Sequence, residues 1–238
     1  MPSTTIPEYR RDHGSQPPVD FPAYRSNALR APRRPLVLLP QRLTEVTGPL
    51  LGADRVGEHD HDLTAGHPGE PIGQRITLSG RVLDGGGRPV AGALVEVWQA
   101  NAAGRYRHDA DRHPAPLDPN FTGVGRCVTD PTGAYSFTTV RPGAYPWRNH
   151  DNAWRPAHVH FSLFGSAFTQ RLITQVYFPG DPLLPLDPVF NSVRDEAARA
   201  SLVAAFDLGR TVPERSLGYR WDIVLRGKDP TPLGDDDD

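Results

Sequence analysis

Two histidines one residue apart are the first candidates for chemistry in this chain. His158 and His160 alternate with the apolar residues Val159 and Phe161, which is the pattern of a β-strand with one buried face. Side chains at positions i and i+2 of a strand point to the same side, about 6.5–7 Å apart, so both imidazoles can reach one metal ion. Because two half-exposed strand histidines give the same pattern, the neighbouring residues must decide whether a metal binds here.

Two tyrosines in turn-rich segments are candidates to complete such a site. Tyr145 lies in a loop between Pro142 and Pro146, and Tyr106 follows the apolar segment that ends at Trp98. A phenolate is a hard anionic donor, and two phenolates with two imidazoles suit Fe(III) better than Zn(II) or Cu(I). Since a free tyrosine has a pKa of about 10, the metal itself must stabilise the phenolate at neutral pH. These residue types favour iron.

The other tyrosines and histidines carry weaker signals. A tyrosine within a strand pattern is usually a core residue with one hydrogen bond, and this is the interpretation of Tyr135, Tyr177 and Tyr219. Residues 58–62 read Glu-His-Asp-His-Asp, which alone would suggest zinc or ferrous iron. This segment precedes the first clear strand in a turn-rich stretch, so we interpret it as a solvated loop. Five histidines lack a partner spacing and are interpreted as surface residues: His13, His67, His108, His113 and His150.

Short strands separated by many turns must position these residues. Glycine contributes 23 and proline 26 of the 238 residues. Strands are expected at 76–82, 93–98, 134–140, 157–164, 172–178 and 219–225. The turn at 84–87 suggests that the first two strands form a hairpin. One helix is expected from about Val193 to Leu208, capped by Ser192 and stopped at Gly209. The pattern predicts a mostly β protein, an antiparallel or mixed β-sandwich with one short helix near the C-terminus.

The chain divides by composition into residues 1–70 and residues 71–238. Prolines cut every apolar stretch of the first part before it reaches the length of an ordinary helix, so we expect an extended arm. Such an arm cannot bury Phe21 and Tyr24 by itself and should lie over the β-sandwich domain or over another subunit. The acidic end at 234–238 is expected to be solvated.

Bulk composition excludes several classes of function. The chain has 26 basic and 28 acidic residues, so it lacks the charge of an electrostatic nucleic-acid binder. Its one cysteine, Cys127, rules out an internal disulfide and a four-cysteine zinc site, which makes a cytoplasmic location the expectation. Neither a signal peptide nor a membrane-spanning segment is expected.

Several segments together resemble the intradiol ring-cleaving dioxygenases. They read Asn-Ala-Ala-Gly-Arg-Tyr-Arg-His at 101–108, Leu-Asp-Pro-Asn-Phe-Thr-Gly-Val-Gly-Arg-Cys-Val-Thr-Asp at 117–130, Tyr-Pro-Trp-Arg at 145–148 and Trp-Arg-Pro-Ala-His-Val-His-Phe at 154–161. The similarity runs in order from about Tyr24 to Arg226. It is strongest to the iron-bearing β-type chains of members that cleave 3,4-dihydroxybenzoate.

The resemblance implies a residue-by-residue assignment of the site. One non-haem Fe(III) per chain would be held by Tyr106, Tyr145, His158 and His160. Tyr145 would also act in catalysis, leaving the metal when substrate binds. Arg155 would face negative charge that develops on the ring, hydrogen-bonded by Gln175. Trp147 would line the site, and Tyr24 would help to hold the substrate carboxylate.

The implied activity is cleavage of 3,4-dihydroxybenzoate by O2 to 3-carboxy-cis,cis-muconate, a step of aromatic catabolism in the β-ketoadipate pathway. The implied partner is a homologous α chain in a large symmetric hetero-oligomer, with no role for nucleic acid or membrane. Three alternatives stay open. The chain could cleave another catechol or hydroxyquinol, could be a non-catalytic β-sandwich accessory subunit, or could be a zinc hydrolase in which a carboxylate such as Asp151 joins the two histidines.

Overall fold

The computed structural model describes residues 15–34, 56–147, 154–164, 171–225 and 229–232. Its strands are β1 (Arg75–Leu83), β2 (Leu94–Trp98), β3 (Val124–Val128), β4 (Ala134–Val140), β5 (Tyr145–Pro146), β6 (Trp154–Arg155), β7 (His158–Phe164), β8 (Arg171–Tyr177), β9 (Ala205–Phe206), β10 (Leu217–Arg220) and β11 (Ile223–Val224). The α-helices in these ranges are short: α1 (Asn27–Arg30), α2 (Pro188–Ser192) and α3 (Glu196–Ser201). Single 3-10 turns occupy Leu184–Leu186 and Leu208–Arg210.

The first sheet is mixed and is built around β1. On one side β1 pairs with β4 in antiparallel register, and on the other it pairs in parallel with β10 and β11. The short strand β9 extends the sheet beyond β10. Alternate side chains of β1, including Ile76, Leu78 and Val82, are buried in the core. The alternation of apolar and polar residues in the sequence therefore reports which face of this strand is inside.

The second sheet is antiparallel, with the order β3, β2, β7 and β8. Strand β7 lies inside this sheet, so both of its edges are hydrogen-bonded. The register places His160 opposite Trp98 of β2 on one side and opposite Gln175 of β8 on the other. One face of β7 sends Val159 and Phe161 into the core. The opposite face carries the histidines.

The two sheets pack face to face. Phe161 from the second sheet contacts the rings of Tyr135 and Phe137 from the first at centroid distances of 5.6 and 6.1 Å. The ring of Trp221 packs on Phe161 at 5.0 Å. Edge-to-face contacts of this kind add to the free energy gained by burying apolar area. The predicted mostly β sandwich is confirmed.

The predicted hairpin between the first two strands is wrong. A tight turn does form, since Gly87 N–H donates to the Asp84 carbonyl, and Val90 N–H still donates to the Val82 carbonyl. The pairing ends there, and the chain turns at Gly92 with φ +70°. Strands β1 and β2 consequently belong to different sheets.

The predicted bounds of the C-terminal helix are also wrong. Helix α3 spans Glu196–Ser201, and its N-cap is Asp195, whose side chain accepts from the Ala198 N–H at 2.7 Å. Beyond it, Ala204 N–H donates to the carbonyl of Tyr177 at the end of β8. Pairing with the sheet outweighs the intrinsic helix preference of the alanines. The sequence patterns also predicted one strand at 219–225, where the structure has the two strands β10 and β11, and they did not indicate β3.

The parts of the N-terminal segment that the structure describes, 15–34 and 56–70, contain little regular structure other than α1. The boundary between an arm and a sandwich domain at residue 70 stays a prediction. Across the described residues, no helix combines the length and the apolar character needed to span a bilayer.

Candidate metal centre and active site

Strand β7 places two imidazoles side by side at the end of the second sheet. His158 and His160 are 2% and 0% exposed, so they are not the half-exposed strand histidines of the simplest interpretation. Their Nε2 atoms lie 3.2 Å apart. The ring of His160 is stacked on Trp98, with a centroid distance of 4.7 Å and an interplanar angle of 4°. This stacking fixes the plane of the His160 ring.

The protonation of His158 follows from its backbone contact. Its Nδ1 lies 2.7 Å from the Pro156 carbonyl oxygen, which can only accept, so Nδ1 carries the proton and Nε2 carries a lone pair. Burial, followed by the charges of Arg155 and His160, holds the pKa of His158 well below its usual range. A neutral imidazole with a free Nε2 lone pair is the form that binds a metal.

Two phenol oxygens meet the same pair of nitrogens. Tyr106 Oη lies 3.2 Å from His160 Nε2, and Tyr145 Oη lies 3.5 Å from His158 Nε2. The tyrosine rings contact each other edge to face, with centroids 5.4 Å apart. The structure thus brings together all four residues that the sequence suggested as ligands.

These four donor atoms suit a cation. The Nε2 lone pair of His158 lies 3.2 Å from His160 Nε2 and 3.5 Å from Tyr145 Oη, so a proton or a metal ion between these atoms would stabilise the cluster. Phenolate oxygens are hard anionic donors, and with two imidazoles they match Fe(III). Among the described residues, no group of three or more His, Cys, Asp or Glu side chains is placed to hold a metal ion.

Close packing of two loops brings the tyrosines together. Gly104 has φ +77°, and a Cβ there would lie 2.1 Å from the Ala144 carbonyl oxygen. The side-chain oxygen of Asn101 holds the first loop by accepting from the Ala103 and Arg105 N–H groups. The backbone carbonyl of Asn101 accepts from the Gly143 N–H in the second loop. A side chain at Gly104 would force apart the loops that carry Tyr106 and Tyr145.

A carboxylate anchors the segment around Tyr106. Asp111 accepts from the Tyr106 N–H at 2.8 Å and from the His113 N–H at 2.7 Å. The guanidinium of Arg105 donates to the carbonyls of Ala115 and Asp111, at 3.1 and 3.3 Å. These bonds fix the backbone of Tyr106 in a loop without regular structure, and they limit where its phenol can go.

Arg155 is a buried cation beside the proposed ligands. It is 2% exposed and lies on β6, where its backbone pairs with Tyr145 of β5. Its Nη2 donates to Gln175 Oε1 at 2.6 Å and to Asp187 Oδ2 at 3.1 Å. The expected contact between Arg155 and Gln175 is therefore present. Asp187 had no sequence signal, because nothing in its local pattern points to Arg155.

Tyr177 is a core residue, as expected, and its hydroxyl also joins this network. Its hydroxyl lies 3.1 Å from Arg155 Nη2 and donates to Gln175 Oε1 at 3.1 Å. Burial and the negative charge of Asp187 raise the pKa of Tyr177 well above its usual range, while Arg155 lowers it. Tyr177 is therefore a neutral phenol, which distinguishes it from the two candidate phenolate ligands.

A cavity of about 660 Å³ opens next to the tyrosines. Its lining includes Trp98, Tyr106, His108, His113, Tyr145 and Trp147. The volume is sufficient for a single aromatic ring with polar substituents. His108 and His113, which the sequence suggested were surface residues without a function, contribute to this wall. Trp98 was not expected to line a cavity either.

The N-terminal segment contacts Trp147, one of the residues that line this cavity. The ring of Tyr24 packs on Trp147 with centroids 4.7 Å apart, and the Arg155 Cζ lies 5.3 Å from the Trp147 ring centre. Tyr24 is only 4% exposed, and its hydroxyl accepts a hydrogen bond from Arg30 of α1. The described part of this segment therefore packs on Trp147, and the expectation that the arm as a whole lies over the β-sandwich domain or over another subunit stays a prediction.

The second histidine pair, His59 and His61, lies in a loop whose carboxylates have other partners. Asp60 forms an ion pair with Arg126 at 2.6 Å, and Asp62 accepts from the backbone and the hydroxyl of Thr64. His59 and His61 are exposed. The loop at 58–62 thus fits the solvated interpretation. Asp151, the carboxylate of the zinc alternative, lies outside the described residues, as do His13, His150 and the acidic end at 234–238.

Comparisons with known proteins identify the family. A family model described as Dioxygenase matches residues 46–227, and one described as Protocatechuate 3,4-dioxygenase beta subunit N terminal matches residues 9–42. The protocatechuate 3,4-dioxygenase beta chain of Burkholderia cepacia is 57% identical over 225 residues, which cover 94% of this chain and 95% of that protein.

More distant relatives share the fold. The protocatechuate 3,4-dioxygenase alpha chain of Pseudomonas putida is 30% identical over 84% of this chain and 99% of its own length. The crystal structure of hydroxyquinol 1,2-dioxygenase from Pseudomonas putida DLL-E4 superposes with a TM-score of 0.53 at 27% identity, covering 68% of this chain and 58% of that chain. By the extent of the family match and the identity to its members, the chain belongs to the intradiol ring-cleaving dioxygenases.

Proposed function

We propose that this chain is the iron-bearing β chain of a protocatechuate 3,4-dioxygenase. It would cleave 3,4-dihydroxybenzoate between the two hydroxyl-bearing carbons, with O2, to give 3-carboxy-cis,cis-muconate. The observation that carries this proposal is the convergence of two phenol oxygens and two imidazole nitrogens beside the buried Arg155. The 57% identity to the Burkholderia beta chain supports the choice of substrate.

Tyr106, Tyr145, His158 and His160 would hold one Fe(III). Bound Fe(III) supplies Lewis acidity, which lowers the pKa of the substrate hydroxyls so that the catechol binds as a dianion. The phenolates of Tyr106 and Tyr145 favour the ferric over the ferrous state because they are hard and anionic. The reaction therefore needs no external reductant, and the substrate rather than O2 is activated.

Tyr145 has the second role of accepting a proton. A catechol that binds as a dianion loses two protons: the phenolate of Tyr145, giving up its place to the substrate, would take one, and a hydroxide ion held at the site would take the other. Tyr106 would stay in place, because its backbone N–H is bound by Asp111 and its loop is braced by Arg105. This division of roles follows from the family resemblance.

Arg155 would stabilise negative charge that develops on the ring. Its guanidinium is fixed before substrate arrives, by Gln175 on one side and the face of Trp147 on another. A charge donor that needs no reorientation during the reaction is the most effective kind of electrostatic catalyst. The same rigidity would align the substrate ring against Trp147.

Tyr24 and Arg30 suit the carboxylate of protocatechuate. The Tyr24 ring packs on Trp147, which lines the cavity, and Arg30 donates to the Tyr24 hydroxyl, so a phenol and a guanidinium lie together next to a cavity residue. Both groups can donate hydrogen bonds to a carboxylate, and Arg30 also supplies the opposite charge. Catechol lacks a carboxylate and would gain nothing from this pair.

A homologous α chain is the proposed partner, in a symmetric hetero-oligomer. The 30% identity to an alpha chain over most of the sequence supports a common ancestor of the α and β chains. The cytoplasmic location suggested by the sequence stays a prediction.

A spectrum and an assay test the proposal. The purified protein, expressed with an α chain, should absorb in the visible range through phenolate-to-iron charge transfer and should consume protocatechuate and O2 in equal amounts. Preference for catechol or hydroxyquinol would move the substrate to the alternative within the family. A colourless protein without iron, inactive in the complete assembly, would favour the accessory-subunit alternative. Stoichiometric zinc would favour the hydrolase.

A further inference from the structure

Asp187 is a buried carboxylate that no part of the proposed chemistry uses. It is 0% exposed and lies one residue before α2. Oδ1 accepts from the Val189 N–H at 3.3 Å and lies 3.4 Å from Arg155 Nε, and Oδ2 accepts from Arg155 Nη2 at 3.1 Å. The carboxylate therefore caps a short helix and also receives two N–H groups of one guanidinium.

Because both side chains are buried, each charge depends on the other for its stabilisation. A carboxylate or a guanidinium in the interior is strongly destabilised unless an opposite charge and hydrogen bonds compensate for the lost water. Both members of this pair are buried, at 0% and 2% exposure, so each provides the compensation for the other. Neither can turn away without leaving its partner as a lone buried charge.

The contacts also define the direction of the guanidinium. Asp187 lies along the Nε and Nη2 edge, and Nη2 is additionally directed to Gln175 Oε1 at 2.6 Å. The ring of Trp147 faces the guanidinium carbon at 5.3 Å. Arginine is a long side chain with many rotamers, and two-point contact with a carboxylate selects one of them.

We propose that Asp187 is the positioning residue of Arg155: its carboxylate holds the guanidinium in the orientation in which it meets the substrate. This inference rests on the proposed catalytic role of Arg155. Asp187 is not among the residues that line the cavity, and its carboxylate contacts Arg155, so it would act through Arg155. Because it is also a helix cap, a merely structural role is the alternative that the experiment must separate.

The first variant is Asp187→Asn in the assembled holoenzyme. Asparagine is nearly isosteric and can still accept from the Val189 N–H, so the cap is kept while the charge is lost. Iron content and the charge-transfer band should be unchanged. We expect kcat for protocatechuate to fall roughly 10- to 100-fold, the range typical of residues that orient an active-site group, with a smaller change in KM.

Asp195→Asn is the matched control. Asp195 is likewise an N-cap aspartate on a short helix and accepts from the Ala198 N–H, but it is exposed and has no contact with Arg155. It should lower kcat by less than twofold. Equal losses of kcat in the two variants, or an unchanged kcat in Asp187→Asn, would show that Asp187 serves only as a cap.

A double-mutant cycle links the effect to the arginine. If Asp187 acts through Arg155, then Arg155→Leu combined with Asp187→Asn should have the same kcat as Arg155→Leu alone. A further loss of tenfold or more in the double variant overturns the proposal. This comparison remains possible if Asp187→Asn alone is too unstable to purify, because the double variant contains no lone buried charge.

Thermal unfolding of the iron-free protein gives a readout that does not depend on activity. Each single variant leaves one buried charge unpaired and should lower Tm, and the double variant should lose less than the sum of the two shifts. Additive shifts in Tm would show that the two side chains are not coupled and would overturn the inference. If Arg155→Leu keeps a normal kcat while the Tm shifts are coupled, the proposed role of Arg155 fails, whereas the ion pair itself stands.

Discussion

Tyr145 and Arg155 are paired residues of the short antiparallel ladder between β5 and β6. One is a proposed metal ligand and the other the proposed charge donor, and their backbones are held opposite each other. Directly opposed residues of an antiparallel ladder have Cα atoms about 4.5–5.5 Å apart. The pairing of the two strands therefore keeps Arg155 in register with the proposed ligand Tyr145.

We expect about one tightly bound iron per chain. Two phenols and two imidazoles converge within 3.5 Å contacts, and this donor set suits Fe(III). Elemental analysis and visible absorption of the purified assembly measure the metal and the charge-transfer band together. Removal of iron with a chelator should abolish colour and activity, and added iron, but not zinc, should restore both. A colourless, fully active protein would contradict this prediction.

Tyr106→Phe should retain the fold, shift the charge-transfer band and sharply lower activity. The substitution removes one anionic donor while leaving the ring that contacts Tyr145 at 5.4 Å. The control is the combined variant His59→Ala and His61→Ala, in an exposed loop away from the proposed ligands. This variant should bind as much iron as the unaltered protein. If it loses iron instead, the metal site has been assigned to the wrong histidines.

Arg155→Leu should keep iron and colour but lose most of its turnover. Removal of one preorganised donor typically costs about 2.7–4 kcal/mol of transition-state stabilisation, or roughly 100- to 1000-fold in kcat. Stopped-flow absorbance separates substrate binding from ring cleavage. A near-normal kcat with a raised KM would mean that Arg155 only helps to bind substrate.

The proposed ligands could be found in the sequence because short motifs carry them. His158 and His160 need only the alternation of a strand, and Tyr145 and Tyr106 lie in short segments marked by proline and glycine. Arg155 and Gln175 were indicated only by the family resemblance, and the structure contains the hydrogen bond between them. The roles of these residues stay predictions.

Residues that depend on tertiary packing could not be found in this way. Asp187 meets Arg155 across 32 positions of sequence, and no local pattern marks that contact. The same limit explains the errors in the fold. A turn signal at 84–87 cannot show that β1 pairs with β4, and the alanines of 197–204 cannot show that hydrogen bonds to Tyr177 end the helix.

Cys127 should be unreactive in the folded protein at pH 8. Burial raises the pKa of its thiol to about 12, although the backbone N–H of Ser136 lowers it in part. The neutral thiol, unlike the thiolate, does not attack disulfide reagents. Labelling with a chromogenic disulfide should therefore require unfolding by urea. Because the folded state keeps this proton longer than the unfolded state, Cys127 should lower the free energy of unfolding as pH rises from about 9 toward 12. Rapid labelling of the native protein would contradict this.

Tyr24→Phe should change substrate preference rather than general activity. The ring would still pack on Trp147, but the hydroxyl that pairs with Arg30 would be lost. A hydrogen bond to a charged group is worth about 1.5–3 kcal/mol, so kcat/KM for protocatechuate should fall roughly tenfold or more. Catechol has no carboxylate, and its kcat/KM should stay within about twofold.

Two further variants separate substrate recognition from assembly. Leu29→Ala alters an exposed residue of the same segment, and it should leave the protocatechuate-to-catechol ratio of kcat/KM unchanged even if it weakens contacts between subunits. Deletion of residues 1–30 removes both Tyr24 and Arg30, so it should lower that ratio more than Tyr24→Phe does, provided that light scattering shows an intact assembly. If the ratio survives the deletion in an intact assembly, the N-terminal segment is only structural, and the carboxylate must be bound by other residues of this chain or by the partner.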